Sequence, residues 1–342
     1  MTWTHETELK LLLFREEFRA RLKAAKRLFK KKPQYWNPHV NHPNVPEGIA
    51  IVAMFKNEGP YLAEWLEFHL MLGVRHIYLY ENGSTDEWQS AVAPYIRDGV
   101  VTLFPWRNFF GGPQQTLAYD HALANFGMDY KWMAFIDLDE FMFPVSGDSL
   151  EETMKNLEHL PAISMPWFTY GHGGHDKKPE GLVIRNFIER AAFPPIAAQY
   201  TLLKHKSIVN PRAISPGIGI HTFVTLEHGP VIINDRGRVY PHHRLRVLEY
   251  ATADHIRLNH YFTRSKEEFH AKLMRGRAGK GGAVDYHALD RRVAQYHRHI
   301  EKDTEIWRFI PELERRLAVR FGRSQPHAAR QTAAPVPVAA AE

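Results

Sequence analysis

The chain has 342 residues, 44% hydrophobic and 24% charged, which suits a globular protein with one large domain or two small ones. It contains no cysteine, so a disulfide framework, a thiol nucleophile and thiolate metal ligands are excluded. The net charge of +6 is concentrated toward the two ends, and no coherent basic and aromatic surface motif points to nucleic acid.

Residues 9–32 read as a basic amphipathic helix, with Leu11, Phe14, Phe18, Leu22, Ala25 and Phe29 at helical spacing and Pro33 after its end. Such a helix either packs on the domain with a solvated basic face or lies peripherally on an anionic membrane. No apolar run is long enough to span a bilayer, and the polar, acidic first ten residues are unlike a secretory signal. The expected location is the cytoplasm. Residues 34–48 are proline-rich and read as a linker.

A β-α alternation follows. Strands are expected over 49–55, 74–80, 100–105 and 132–138. Helices are expected over 60–72, 87–95 and 113–126, the second capped by Thr85 or Asp86. Short loops between alternating strands and helices imply a mostly parallel, Rossmann-like sheet in a three-layer sandwich. The chain lacks G-x-G-x-x-G and the P-loop pattern, so neither a dinucleotide nor P-loop chemistry is indicated.

The polar residues gather where strands end: Lys56-Asn57-Glu58, Glu81 to Asp86, and Asp137-Leu138-Asp139-Glu140. In open α/β sheets that edge binds ligands. Asp137 and Asp139 are two apart, so on an extended backbone they point the same way. Two such carboxylates repel unless a cation lies between them. A hard divalent ion, Mg²⁺ or Mn²⁺, would satisfy them and also hold a diphosphate.

Further on, strands are expected over 162–170, 181–187, 200–209 and 221–226, with a polar loop at 171–176. Ser265 and Glu268 form a capping-box pattern that opens a helix, and helices are expected over 283–301 and 306–320. From residue 322 the chain reads as a disordered tail. The domain reading is therefore 1–47 for the basic helix and linker, 48–321 for the folded domain, split at 145 into donor and acceptor halves, and 322–342 for the tail.

This ordered set of residues resembles the glycosyltransferase family 92 type and its family-2-like relatives of GT-A fold. The resemblance runs from Ile51 to Arg277. It rests on Lys56-Asn57-Glu58, Tyr61-Leu62, Glu64-Trp65, Phe68-His69, the Tyr80 to Asp86 turn and Gln115 with Asp120-His121. It continues through Phe135 to Phe141, Trp167-Phe168, Arg190, Lys206 to Val209, Asn259-His260-Tyr261, Arg264-Ser265, Lys272 and Arg275-Gly276.

The resemblance implies transfer of a sugar, with inversion, from a nucleotide-diphosphate donor, usually a UDP-sugar, to a glycan or lipid-linked acceptor. The donor-binding set on this reading is Phe55, Asn57, Glu58, Asn82, Asp86, Gln115, Asp137, Leu138, Arg190 and Lys206. Asp137 and Asp139 would hold the metal, with His260 as the favoured third ligand and His221 second; an imidazole suits Mn²⁺ better than Mg²⁺. Inversion needs a carboxylate to take the acceptor proton, and the candidates are Asp176, Glu189 and Glu140, the last expected to point away from the metal. Two other readings use the same residues: a metal-dependent hydrolase of nucleotide sugars or phosphoesters, and a non-catalytic nucleotide-binding module.

Overall fold

Strand β1, Ile49–Phe55, separates two apolar layers. Ile49, Ile51, Ala53 and Phe55 enter one layer, and Ala50 and Val52 the other, as a period of two requires. Helix α1, Gly59–Met71, closes the first layer with Leu62, Trp65, Leu66 and Phe68. Then come β2 (Val74–Glu81), α2 (Gln89–Arg97) and β3 (Val101–Pro105). Helix α3, Gln114–Phe126, closes the second layer with Ala118, Tyr119 and Ala122. The sandwich expected from the alternation is therefore present.

The structure is a computed structural model that describes residues 48–107, 113–194, 204–215, 219–241, 250–274 and 300–322. All of these belong to one unit, Val45–Glu342. The basic helix expected over 9–32, most of the linker, Arg275-Gly276 and the tail beyond Gly322 lie outside the described residues.

The remaining elements are β4 (Trp132–Phe135), β5 (Glu140–Pro144), α4 (Leu150–Lys155), β6 (Ala162–Thr169), α5 (Val183–Asn186), β7 (Glu189–Ala191) and β8 (His205–Val209). A small antiparallel sheet follows from β9 (Ile214–Ser215), β10 (Val224–Thr225), β11 (Gly229–Ile233) and β12 (Val239–Pro241). The last elements are β13 (Ile256–His260), α6 (Lys266–Met274), β14 (Ile300–Lys302) and α7 (Ile310–Phe321).

The main sheet has eight strands in the order β3-β2-β1-β4-β8-β6-β13-β5. The first four are parallel. β8 is antiparallel to both β4 and β6, β13 is parallel to β6, and β5 closes the edge antiparallel to β13. This is the mixed α/β architecture expected of a GT-A fold, with α7 as the added C-terminal helix. Glu67, buried on α1, holds α7 by accepting from Arg316 at 2.6 Å and Arg320 at 2.7 Å.

Several expectations are corrected. β4 ends at Phe135, so Asp137-Leu138-Asp139 lies in a turn and not on an extended backbone. Residues 181–187 hold the short helix α5 in place of a strand. The buried Glu64 carboxylate accepts from Val183 N at 2.8 Å and Ile184 N at 3.1 Å, which satisfies the first helical amides and overrides the local β preference. The strand expected over 221–226 shrinks to Val224–Thr225, and Ile300–Lys302 is a strand paired with β7, not a helix end.

Candidate active site

The loops after β1 and β2 are tied together before any ligand is considered. Asn57 takes a left-handed φ of 54°, donates its backbone N–H to Ser84 Oγ at 3.0 Å, and accepts from Thr85 N at 2.7 Å. Asp86 Oδ2 accepts from Gly59 N at 2.7 Å. Asp86 thus serves the start of α1, whereas the sequence reading offered it or Thr85 as a cap for α2, whose first turn has no side-chain cap. Gly59 is required here, because a Cβ would lie 2.9 Å from both Asp86 Oδ2 and Glu87 O. Phe55 is buried with its ring edge-on to Trp88, and Asn82 is buried and donates to Trp106 O at 2.7 Å. These two hold the strand ends and are not among the residues that line the cleft.

That cleft has a volume of about 320 Å³. Asn57, Glu58, Tyr61 and Asp86 line one side; Lys178 comes from the loop after β6; Phe262, Arg264, Glu268 and Lys272 come from the segment after β13. Arg264 donates to Glu58 Oε2 at 2.7 Å, with its guanidinium 3.4 Å from the Tyr61 ring centre. Arg264 and Asn57 are the two non-glycine residues with positive φ among those described, and both border this cleft. The capping box is present: Ser265 Oγ accepts from Glu268 N at 3.3 Å, and Ser265 N donates to Glu268 Oε2 at 3.1 Å. Among the described residues Asp86 Oδ1, Thr263 Oγ1, Arg264 Nε and Glu268 Oε1 are buried without a hydrogen-bond partner. Four such groups on one cleft are costly unless a polar ligand satisfies them.

The acids beyond the cleft divide into two arrangements. Asp137 accepts from Gln115 Nε2 at 2.6 Å and pairs with Lys206 Nζ at 2.9 Å. Lys206 is fully buried in β8. Burial alone would lower its pKa, but the Asp137 and Glu140 carboxylates outweigh that and raise it, so the lysine stays charged. Leu138 is buried in the core.

Asp139 is buried and faces Lys272 Nζ at 2.5 Å and His260 Nε2 at 3.5 Å. Burial would raise its pKa, but Lys272 and His260 hold it well below the ordinary carboxylate range. Glu140, also buried, accepts from Asp137 N at 2.8 Å. Burial pushes its pKa well up, with Lys206 opposing and Asp137 and Asp139 adding to the rise.

Strand pairing assembles this second group. In the β13–β5 ladder His260 is the direct partner of Glu140, and Tyr261 N donates to Asp139 O at 2.8 Å. Asp139, Glu140 and His260 offer three ligand atoms within 4.8 Å of one another. Glu140 Oε1 and His260 Nδ1 are buried and have no hydrogen-bond partner among the described residues. Two carboxylates and an imidazole fit a divalent ion such as Mn²⁺ or Mg²⁺. The expectation that Glu140 points away is corrected, because the turn ends at Asp139 and Glu140 opens a new strand opposite His260. Behind it, buried His69 accepts from Met142 N at 3.1 Å and meets Trp65 O at 2.8 Å. Burial lowers its pKa to about 3, so it acts as a neutral support.

The other expected residues lie elsewhere. His221 meets His205 O at 2.8 Å and packs against Trp167, outside the three-ligand group, and burial lowers its pKa to about 4. Arg190 pairs with Asp303 at 2.5 Å and Glu301 at 2.7 Å and does not line the cleft. The same Asp303 carboxylate binds buried Arg257 of β13. Glu189 pairs in β7 with Lys302 of β14. Asp176 is exposed and held by Lys266 at 2.7 Å, which lowers its pKa. The sequence reading did not place Tyr61, Lys178, Arg264 or Lys272 in the site, although three of these, Tyr61, Arg264 and Lys272, stood among the residues that carry the family resemblance.

The model of glycosyltransferase family 92 matches residues 50–277. A glycosyltransferase family 92 protein of Oryza sativa subsp. japonica is 26% identical over 202 residues, covering 54% of this chain and 32% of that protein. One from Ricinus communis is 25% identical over 215 residues, covering 60% and 36%. This chain spans about a third of the length of these curated relatives. The crystal structure of S. aureus TarS 1-349 with UDP-GlcNAc aligns over 80% of this chain and 71% of that one, at 12% identity and a TM-score of 0.33, and carries none of the assignment.

Proposed function

Because this chain belongs to glycosyltransferase family 92, we propose that it moves a sugar from a nucleotide-diphosphate donor of the UDP-sugar type to a hydroxyl of a glycan or lipid-linked acceptor, with inversion. One observation carries the reading. The cleft with four unsatisfied buried polar atoms adjoins the Asp139, Glu140 and His260 group through Lys272, which both lines the cleft and contacts Asp139.

The nucleoside is assigned to the end with Asn57, Glu58, Tyr61 and Asp86, where Asp86 Oδ1 lacks a donor. The diphosphate is assigned to the end with Arg264 and Lys272. A divalent cation held by Asp139, Glu140 and His260 would neutralise charge that grows on the leaving diphosphate. Asp137, neutralised by Lys206 and held by Gln115, fixes the turn that presents Asp139. The acceptor side is given to the loop after β6. Its Lys178 lines the cleft, and its Asp176 carboxylate stays ionised beside Lys266, as a proton acceptor must.

A panel of UDP-, GDP- and CMP-sugars with Mn²⁺, with and without acceptors, tests this. The expected result is acceptor-dependent release of UDP, with the anomeric centre inverted in the product by NMR. Rapid release without acceptor would make the protein a hydrolase, and donor binding without turnover a binding module. A cytoplasmic location, with residues 9–32 on an anionic membrane surface, belongs to the same proposal. Vesicle sedimentation that weakens with salt supports it, and equal sedimentation after removal of residues 1–45 counts against it.

A further inference from the structure

The two aspartates of the turn each have a lysine, and the two lysines differ. Lys206 is fully buried in the middle strand β8, so its ammonium cannot leave Asp137 without being stranded in the core. Lys272 sits on α6 at the edge of the cleft, and its side chain is 32% exposed against 7% for Asp139. Among the described residues its other hydrogen bond is to Phe262 O at 3.2 Å, with the Phe262 ring 4.8 Å away. Its ammonium therefore has water and the cleft within reach once it leaves Asp139.

Asp139 cannot stay ionised in the core unaccompanied. Among the described residues its nearest cationic side chain is Lys272, with Nζ 2.5 Å from Asp139 Oδ2 against 3.5 Å for His260 Nε2. The charge balance rests on Lys272, which stands on Oδ2, the Asp139 carboxylate oxygen that also faces His260 Nε2. Two cations cannot share that carboxylate oxygen at bonding distance, because their repulsion in a poorly solvated site is large. We propose that Lys272 is an internal counter-ion that alternates with the metal: without a divalent ion it neutralises Asp139, and when the ion takes that place its ammonium turns into the cleft and binds the donor diphosphate. This rests on the metal and donor sites of the proposed function and adds an order of events, in which the cation both completes its own site and releases a ligand for the second substrate.

The test is calorimetric, on the full chain, with Mn²⁺ alone and then with UDP at saturating Mn²⁺. Removing an internal competitor should tighten one step and weaken the other. Lys272→Met should bind Mn²⁺ about tenfold more tightly than wild type, a coupling of ordinary size. It should bind UDP about tenfold more weakly, having lost one charge-assisted contact. Lys272→Arg should restore UDP binding in part. A residue that merely supports the fold would weaken both steps, and weakening of both, or no change in Mn²⁺ affinity, overturns the proposal. A second measurement needs no variant. Acetylation of Lys272 in wild type, followed by peptide mass spectrometry, should accelerate on adding Mn²⁺ and slow again on adding UDP; a rate indifferent to Mn²⁺ overturns the proposal. If wild type binds neither Mn²⁺ nor UDP, the reading of the site itself has failed and this proposal with it. If wild type binds both and the Lys272 results disagree, only the counter-ion exchange is wrong.

Discussion

His260 and Glu140 stand directly opposite each other in the β13–β5 ladder, with Asp139 at the end of the preceding turn. A histidine from the far half of the chain is thereby fixed against two acids from the near half by backbone pairing, before any ligand is present.

His260→Ala should therefore lose the stabilisation that Mn²⁺ with UDP provides. That stabilisation is roughly 2.7 kcal/mol at a hundredfold excess over the dissociation constant. The ligand-free melting temperature should stay close to wild type. His221→Ala, which leaves the three-ligand group intact, should keep the ligand effect. Thermal melts with and without ligand decide between the two, and loss of the effect in His221→Ala alone would move the ligand to His221.

Asp139→Asn and Asp137→Asn should fail in different ways. Asp139→Asn should remove Mn²⁺-dependent UDP binding while the protein stays folded, since Lys272 can reach water. Asp137→Asn leaves Lys206 buried without its partner and should cost about 3–5 kcal/mol of stability. Urea unfolding measures the second effect; a variant as stable as wild type would show that the Asp137–Lys206 pair is not what holds the turn.

Asp303 should shape the acid limb of the stability curve. Burial alone would raise its pKa, but Arg190 and Arg257 hold it below the ordinary value of 3.8. A depressed carboxylate contributes stability that is present above the unfolded pKa and lost as pH falls through the folded one. Stability at neutral pH should thus decline on acidification below about 3.8, and Asp303→Asn should be less stable at neutral pH with a flatter acid limb. An unchanged acid limb in the variant would remove Asp303 from the account.

Glu64 should act in the opposite direction. Burial raises its pKa from 4.5 to about 7, against its bonds to Val183 N and Ile184 N. A raised group favours the fold most below the unfolded pKa, and that contribution is lost as pH rises through the folded one. Melting temperature should include a component that falls between pH 4.5 and about 7. Glu64→Gln should lack that component whatever its absolute stability, and a slope that persists in the variant would place its origin elsewhere.

The strands and helices of residues 48–135 were legible in the sequence, because long apolar runs and amphipathic spacing are local signals. β1 was bounded to the residue, and α1, β2, β3 and α3 to within a residue or so. The short strand β5 was hidden beneath the acidic motif, since Glu140-Phe141-Met142 carries no turn signal to divide it from β4. α5 was misread because the residue that makes it a helix, Glu64, comes from another element. The site was legible in part for the same reason. Asp139 and His260 were named by type and resemblance, and strand pairing brings them together. The partition of the two aspartates between Lys206 and Lys272, and the turning of Glu140 toward His260, depend on contacts between distant segments that no spacing rule reaches.

The β13–β5 pairing also says when, during folding, a binding site can first exist. β1, β2 and β3 join neighbours close in sequence and can form early, but β5 lies at the edge of the described sheet and pairs with a strand made more than a hundred residues later. A growing or refolding chain therefore holds Asp139 and Glu140 for some time with no histidine opposite them and no Lys272 beside them. On the proposed function, capture of metal and nucleotide together would be a property of the finished sheet alone, and its onset in a refolding experiment would date the arrival of the last edge.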